Sequence, residues 1–157
     1  PWRLGDTYNS SIGQYGWQVT LLQMARAVAG IASGYLPTPT MLIREGITRT
    51  NNKKISVEEN NLEIIREGMR EVVRTGTGTG LNVPYVQVAA KSGTAELGTT
   101  KTKVNSWIIG YFPYENPRYA FAVMMEQGSR DNIVGATFVT RGLLDWMQLN
   151  TPGYFEN

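Results

Sequence analysis

The chain has 157 residues, 41% hydrophobic and 18% charged, and its 15 basic and 13 acidic side chains leave a net charge of +2. That balance predicts one globular domain with a real core and argues against both disorder and a nucleic-acid-binding surface. The absence of cysteine and histidine excludes Cys/His metal centres, thiol nucleophiles and a Ser-His-Asp triad, so acid–base chemistry falls to Lys, Tyr, Asp or Glu.

The first segment, Pro1 to Val19, mixes Gly, Ser, Asn and aromatics without a period, and reads as loop. It has neither an initiator Met nor a basic leader, and the chain reads as an excised piece of a longer protein. "TLLQMARAVAGIAS", Thr20 to Ser33, predicts a helix. Thr20 and Gln23 have the spacing of a capping box, and Leu21, Met24, Ala25, Val28 and Ala32 form its apolar stripe. Its many alanines allow close packing, and Gly34 is placed to stop it. Trp17 is expected to staple onto this helix, with Gly13 and Gln14 near a cleft rim.

Met41 to Ile43 reads as an extended segment and Asn51 to Lys54 as a polar turn. A second helix is expected in "ISVEENNLEIIREGMREVVRTG", capped by Ser56 with Glu59 and regular from Asn61. Leu62, Ile65, Met69, Val72 and Val73 are its buried side, and Gly76 ends it. "TGTGTG", Thr75 to Gly80, lacks both the preceding strand and the following Gly-Lys-Ser/Thr of a phosphate loop, and reads as a helix-to-strand connection.

Three strands follow: Val86 to Glu96, Asn105 to Tyr114, and Arg118 to Gly128. The last is a continuous apolar run of the kind buried on both faces. The short "YENP" turn makes the last two antiparallel neighbours, with the first pairing on the other side. Lys101 and Lys103 lie on a Thr-rich solvated loop. Trp107, Phe112 and Phe121 are expected in the core or on a cleft floor. Gly135 to Leu149 reads as an amphipathic helix burying Ala136, Val139, Leu143 and Met147, stopped by Pro152 and Gly153. The expected fold is α/β (α+β), an antiparallel sheet with helices packed on it. No apolar run approaches the roughly 20 residues of a membrane span.

The stretch "VAAKSGTAELG" carries the chemistry. On a strand, Lys91 and Gly93 face one side while Ser92 and Thr94 face the other. At a sheet edge, free N–H groups can hold a carbonyl oxygen, hydroxyls can bind a carboxylate, and Lys91 supplies a positive field. This set stabilises an electrophile but contains no nucleophile, and four residues alone also fit an ordinary strand end.

Together with "SSIGQYGWQVTLLQMARAVAGIAS", "REGMREVVRTGTGTG" and "SWIIGYFPYENPRYAFAVMMEQG", the stretch resembles the C-terminal part of the penicillin-binding transpeptidase domain over nearly the whole chain, 1–157. The resemblance is strongest to the elongation-type class B branch, the penicillin-binding protein 2 group. It implies that Lys91 polarises the site, Ser92 contacts the substrate carboxylate or its relay, Gly93 keeps the wall open, and Thr94 gives its N–H to an oxyanion hole and its hydroxyl to the terminal carboxylate. Lys91, Ser92 and Thr94 are thus the implied catalytic residues, and Lys91, Ser92, Gly93 and Thr94 the substrate-binding ones, with no cofactor and no metal.

The implied ligands are peptidoglycan stem peptides ending in D-Ala-D-Ala and their β-lactam mimics. The implied partners of the parent are a cell-wall glycan polymerase and elongation-complex proteins, with no nucleic acid, at the periplasmic face of the inner membrane. A β-lactam-sensing domain and a serine β-lactamase share the resemblance as alternatives. Ala90 stands where many relatives carry Gly, and Phe138 and Val139 where a Pro is frequent. No serine has Lys three residues on or Asn two residues on, so the family's Ser-x-x-Lys nucleophile and Ser-x-Asn motif are absent. The fragment alone is expected to be inactive, and to self-associate through apolar surface that the rest of the domain would cover.

Overall fold

The computed structural model describes residues 1–14, 16–40, 52–132 and 134–156. Four helices appear among them: α1 (Leu4–Ser11), α2 (Leu21–Ser33), α3 (Glu59–Arg74) and α4 (Ala136–Asn150). The short strands β1 (Tyr35–Leu36) and β2 (Lys53–Lys54) pair with each other, and β3 (Ala89–Leu97), β4 (Lys103–Phe112) and β5 (Tyr119–Ser129) form an antiparallel sheet in the order β3-β4-β5.

α2 starts where its sequence places it. Thr20 Oγ1 accepts from the Gln23 amide at 3.2 Å, and Gln23 Oε1 accepts from the Thr20 amide at 2.8 Å, so two orphan amides are satisfied reciprocally. Gly34 closes the helix at φ +77, a left-handed conformation that favours glycine. Only the later half of the stripe is buried, at Val28, Gly30 and Ala32, whereas Leu21 and Ala27 are exposed.

Several expectations are corrected. Pro1 to Val19 is not all loop, because α1 occupies Leu4–Ser11. It buries no residue, so it has no apolar stripe to read, and local bonds support it: the Arg3 amide on Asp6 Oδ2 (2.8 Å) and the Trp2 indole on Thr7 (2.8 Å). Ser56 does not cap α3. The helix begins at Glu59 behind an N-cap Glu58 that makes no side-chain cap bond, and Glu59 lies near the positive helix end and pairs with Arg66 at 2.5 Å. Lys53 and Lys54 are strand rather than turn.

The buried side of α4 is Ala136, Thr140 and Leu144, with Val139 and Leu143 exposed. The polar Thr140 fits because its hydroxyl donates to the Ala136 carbonyl at 2.8 Å, which shifts the apparent stripe by one residue. The expected segment Met41 to Ile43 lies outside the described residues.

The core is built on both faces of the sheet. On one face Val28 and Ala32 of α2 and Met69 of α3 pack on Ala89 and Tyr111. On the other, Val73, Leu81, Val83 and Val88 join Ile108, Phe112, Ala136 and Leu144. β5 pairs only with β4 among the described residues, and its apolar run is half-buried rather than buried. Arginines tie the layers together: Arg66 Nε donates to the Ile31 carbonyl at 2.7 Å, and Arg70 Nη1 to the Val88 carbonyl at 3.0 Å, just ahead of β3.

Tyr111 is fully buried and its hydroxyl has no hydrogen-bond partner among the described residues. Burial, foremost, pushes its pKa up to about 12. A buried, unpaired hydroxyl costs about 1–3 kcal/mol. Tyr111→Phe is therefore expected to raise unfolding stability by about 1 kcal/mol in denaturant titration. Because the folded state holds the phenol proton more tightly, stability present below pH 10 drains away as pH rises toward 12. That alkaline loss should be smaller in Tyr111→Phe, and an unchanged alkaline limb would contradict the assignment.

Candidate active site

Lys91, Ser92, Gly93 and Thr94 lie in the middle of β3, which pairs only with β4 among the described residues. One long side of β3 is therefore an edge, and alternate backbone N–H and C=O groups point away from the sheet along it. Lys91, Gly93 and Thr94 are exposed and Ser92 is half-buried.

A groove of ≈ 690 Å³ runs beside the edge. Its floor is Trp107, Ile109 and Met124, carried by β4 and β5 on the face of Lys91 and Gly93. Its far wall is the α1–α2 connection with Ile12, Gly13, Gln14 and Trp17. Trp17 does not staple onto α2. It is 64% exposed, and its indole N–H donates to the Ser10 carbonyl at 3.1 Å. An aromatic fixed by that bond serves as rim rather than core.

Three contacts fix the wall. Lys91 Nζ donates to the Ser92 carbonyl at 2.6 Å, turning the ammonium along the strand. Ser92 Oγ lies 2.5 Å from Thr77 Oγ1, so the "TGTGTG" connection docks on the strand. A methyl added at Gly93 would meet only Trp107 Cβ, at an ordinary 3.5 Å, and no left-handed φ is present there. Neither packing nor backbone conformation requires glycine at 93.

Gly110, beneath the wall, is different. A Cβ there would sit 2.5 Å from the Ala89 carbonyl oxygen and 2.6 Å from Phe121 Cζ. The methyl of Ala90 is accommodated because position 110 opposite it is bare.

At the far end of β3, Glu96 takes Lys101 at 2.9 Å and Arg130 at 3.1 Å. The hydrogen bond from Lys101, foremost, and then the charges of both cations hold its carboxyl below the usual carboxylate range. Lys101 is thus paired with Glu96, and Lys103 opens β4 instead of lying on the loop. Among the described residues no group of three or more acidic side chains could hold a metal ion, and no helix is long and apolar enough to cross a membrane.

Chemically, the edge can align a peptide and offer N–H donors to a carbonyl oxygen, while Lys91 attracts an anion. The family model for the penicillin binding protein transpeptidase domain matches residues 1–142. The chain belongs to that family. Among curated penicillin-binding relatives, the peptidoglycan D,D-transpeptidase MrdA of Escherichia coli (strain K12) is 27% identical over 95% of this chain and 27% of its own length.

The structure of the complex between PBP2 and MreC from Helicobacter pylori superposes with a TM-score of 0.76 at 31% identity, covering 98% of this chain and 29% of that one. Penicillin-binding protein A from M. tuberculosis, solved as an imipenem acyl-enzyme complex, gives a TM-score of 0.71 at 28% identity over 87% of this chain and 32% of that one. The chain spans about a quarter of the length of the curated relative it matches. The mixed helix and antiparallel-sheet architecture is that of penicillin-binding transpeptidase domains.

The fold brings Lys91, Ser92, Gly93 and Thr94, all four residues singled out in the sequence, to one groove edge. The Thr75 to Gly80 connection lies where the sequence places it, but nothing local shows that its Thr77 meets Ser92. The repeated Thr-Gly was the available signal, but the partner hydroxyl lies 15 residues away. Gly110→Ala should force β3 off β4 and cost about 1–3 kcal/mol, as overpacking does. Gly93→Ala should leave thermal unfolding nearly unchanged. Equal unfolding temperatures for the two variants would refute the contrast.

Proposed function

We propose that this chain forms the electrophile-holding wall of a peptidoglycan D,D-transpeptidase of the elongation type. The carrying observation is a Lys-Ser-Gly-Thr run on an exposed sheet edge beside an open groove, in a chain of this family. Gly93 supports it further: the fold does not need glycine there, whereas a ligand lying against the strand does.

In this reading the 157 residues are the C-terminal part of the transpeptidase domain, and the attacking serine is supplied from outside them. A donor peptide ending in D-Ala-D-Ala lies antiparallel to β3. The serine oxygen attacks the penultimate carbonyl carbon, and the Thr94 N–H helps hold the oxygen that becomes negative. Lys91 keeps the cleft positive, which favours both the developing charge and the terminal carboxylate. Ser92, held by Thr77, and the Thr94 hydroxyl bind that carboxylate. The terminal D-Ala leaves as the acyl–serine ester forms, and a second peptide's amine then takes the acyl group. β-Lactams enter as mimics of the donor.

The parent is membrane-anchored on the extracytoplasmic face and works with a glycan polymerase and elongation-complex proteins. The Helicobacter pylori PBP2 that superposes on this chain was solved with MreC. Exposed apolar side chains, such as Ile12 and Trp17 in the groove wall and Phe138, Trp146 and Leu149 on α4, lead the isolated chain to self-associate.

Three outcomes test this. The 157-residue chain should give no boil-resistant band with a fluorescent penicillin, since an oxyanion wall without its nucleophile acts weakly. In the whole protein that carries the chain, Lys91→Ala should slow penicillin acylation by about 100-fold, the scale for losing preorganised charge stabilisation. A labelled band from the isolated chain, or an unaffected Lys91→Ala, would overturn the assignment. In light scattering, the isolated chain should exceed monomer mass as concentration rises, and a strict monomer would count against self-association.

A further inference from the structure

The connection that carries Thr77 is held at both ends and touched in the middle. At its near end the Val72 carbonyl accepts from the Gly76 amide at 3.1 Å and from the Gly78 amide at 3.0 Å. In the middle Thr77 Oγ1 meets Ser92 Oγ. At its far end Arg141 Nη1 of α4 donates to the Gly80 carbonyl at 3.2 Å. A Cβ on Gly80 would sit 3.1 Å from Thr137 Cγ2, so this end rests directly against α4.

The same arginine is linked to the approach to β3. Arg141 Nε donates to Asp145 Oδ1 at 2.9 Å and to Asp145 Oδ2 at 2.8 Å, one turn along the helix. Asp145 Oδ1 also accepts from the Tyr85 hydroxyl at 2.7 Å, just ahead of β3. The Tyr85 ring packs on Phe155, with centroids 5.2 Å apart. Hydrogen bonds from Tyr85, foremost, and from Arg141 hold the Asp145 carboxyl below the usual carboxylate range. Burial, foremost, pushes the Tyr85 hydroxyl up to about 12. Near neutral pH the phenol therefore stays a donor and the carboxylate an acceptor. One side of α4 thus grips both of the chain segments whose hydroxyls meet at Thr77 and Ser92.

The Arg141 and Asp145 side chains are 40% and 45% exposed, and ion pairs this open to water add little to stability. Leu81, fully buried beside Gly80, keeps the connection on the core by itself. What the arginine adds is direction.

We infer that Arg141, aimed by Asp145 and Tyr85, is a positioning residue for the reaction: it sets the Thr77 connection against β3 and so holds the Ser92 hydroxyl toward the ligand's carboxylate. This rests on the transpeptidase reading. Without Arg141 the Gly80 carbonyl turns to water, the Thr77 hydroxyl loses its fixed place, and Ser92 Oγ is free to rotate. A free hydroxyl must be ordered when the ligand binds, which weakens its contact with the carboxylate. The N–H donors of β3 are held by the ladder to β4 and stay where they are.

The experiment uses the whole protein carrying this chain. Acylation by benzylpenicillin, which bears the free carboxylate, is compared with acylation by its methyl ester, which does not. The unmodified protein should favour the acid by about tenfold or more, the scale of hydrogen bonds to a charged group. Arg141→Ala should cut that preference by about fivefold, the scale of one net hydrogen bond, slowing the acid and leaving the ester unchanged. Arg141→Lys should keep part of it. Tyr85→Phe, which loses one hydroxyl and keeps its ring on Phe155, should narrow it by about twofold, and it carries the test if Arg141→Ala fails to fold. In a Thr77→Ala background Arg141→Ala should add nothing further, because the two residues act through one contact.

An acid preference that persists in these variants, an equal slowing of acid and ester, or full additivity with Thr77→Ala overturns the inference and leaves the transpeptidase reading intact. Equal rates for acid and ester in the unmodified protein take the carboxylate away from Ser92, and the inference falls with it. Failure of the unmodified protein to be acylated by either compound overturns the transpeptidase reading itself.

Discussion

Everything in this molecule is arranged around the close pairing of β3 with β4. At Gly110 the two strands approach so tightly that a single methyl would strike the Ala89 carbonyl at 2.5 Å. This bare position lets Ala90 be a methyl-bearing residue in the fully buried part of β3. From the next residue on, the same strand emerges from the core and becomes the edge of Lys91 to Thr94. One strand thus serves two environments. Its first residues are anchored by apolar burial on both faces, and its middle is held in the open chiefly by the ladder to β4.

That division explains why the site can be both rigid and empty of bulk. Ala89 and Ala90 are wedged between helices on one face and the Leu81–Leu144 cluster on the other. Arg70 holds the carbonyl just ahead of them. The exposed stretch inherits its position from these contacts, and the Thr77 hydroxyl adds a lateral restraint at Ser92. Preorganisation of this kind lets backbone donors act on a carbonyl without first rearranging.

The edge also has two sides, and they differ in chemistry. One faces an apolar floor of Trp107, Ile109 and Met124 with a single ammonium at its margin, and suits a peptide lying along the strand. The other is small and polar, with a guanidinium braced by a carboxylate. Exposed apolar side chains gather on α4 and around the groove. They mark surfaces that a longer domain or another molecule would cover, since exposed patches of this kind seldom persist on a free monomer.

Much of this was legible in the residues themselves. The capping box and the Gly34 stop of α2 are local chemistry, settled within one turn of helix. The sheet pairing followed from a short turn and the alternation of side chains, and the Lys-Ser-Gly-Thr run from residue identity. What local pattern could not decide was anything set by distant neighbours. α1 buries nothing, so it leaves no stripe. The buried side of α4 turns on Thr140, whose hydroxyl is satisfied by its own helix and thus passes for core. Thr77 gains its meaning from Ser92, the Arg130–Glu96 pair joins a strand to a loop 34 residues away, and Gly110 matters only because Ala90 lies across from it and the Ala89 carbonyl presses on it. Sequence determines which groups exist and which short-range bonds they make; only the tertiary fold decides which groups meet, because contacts between strands and layers depend on the path of the whole chain.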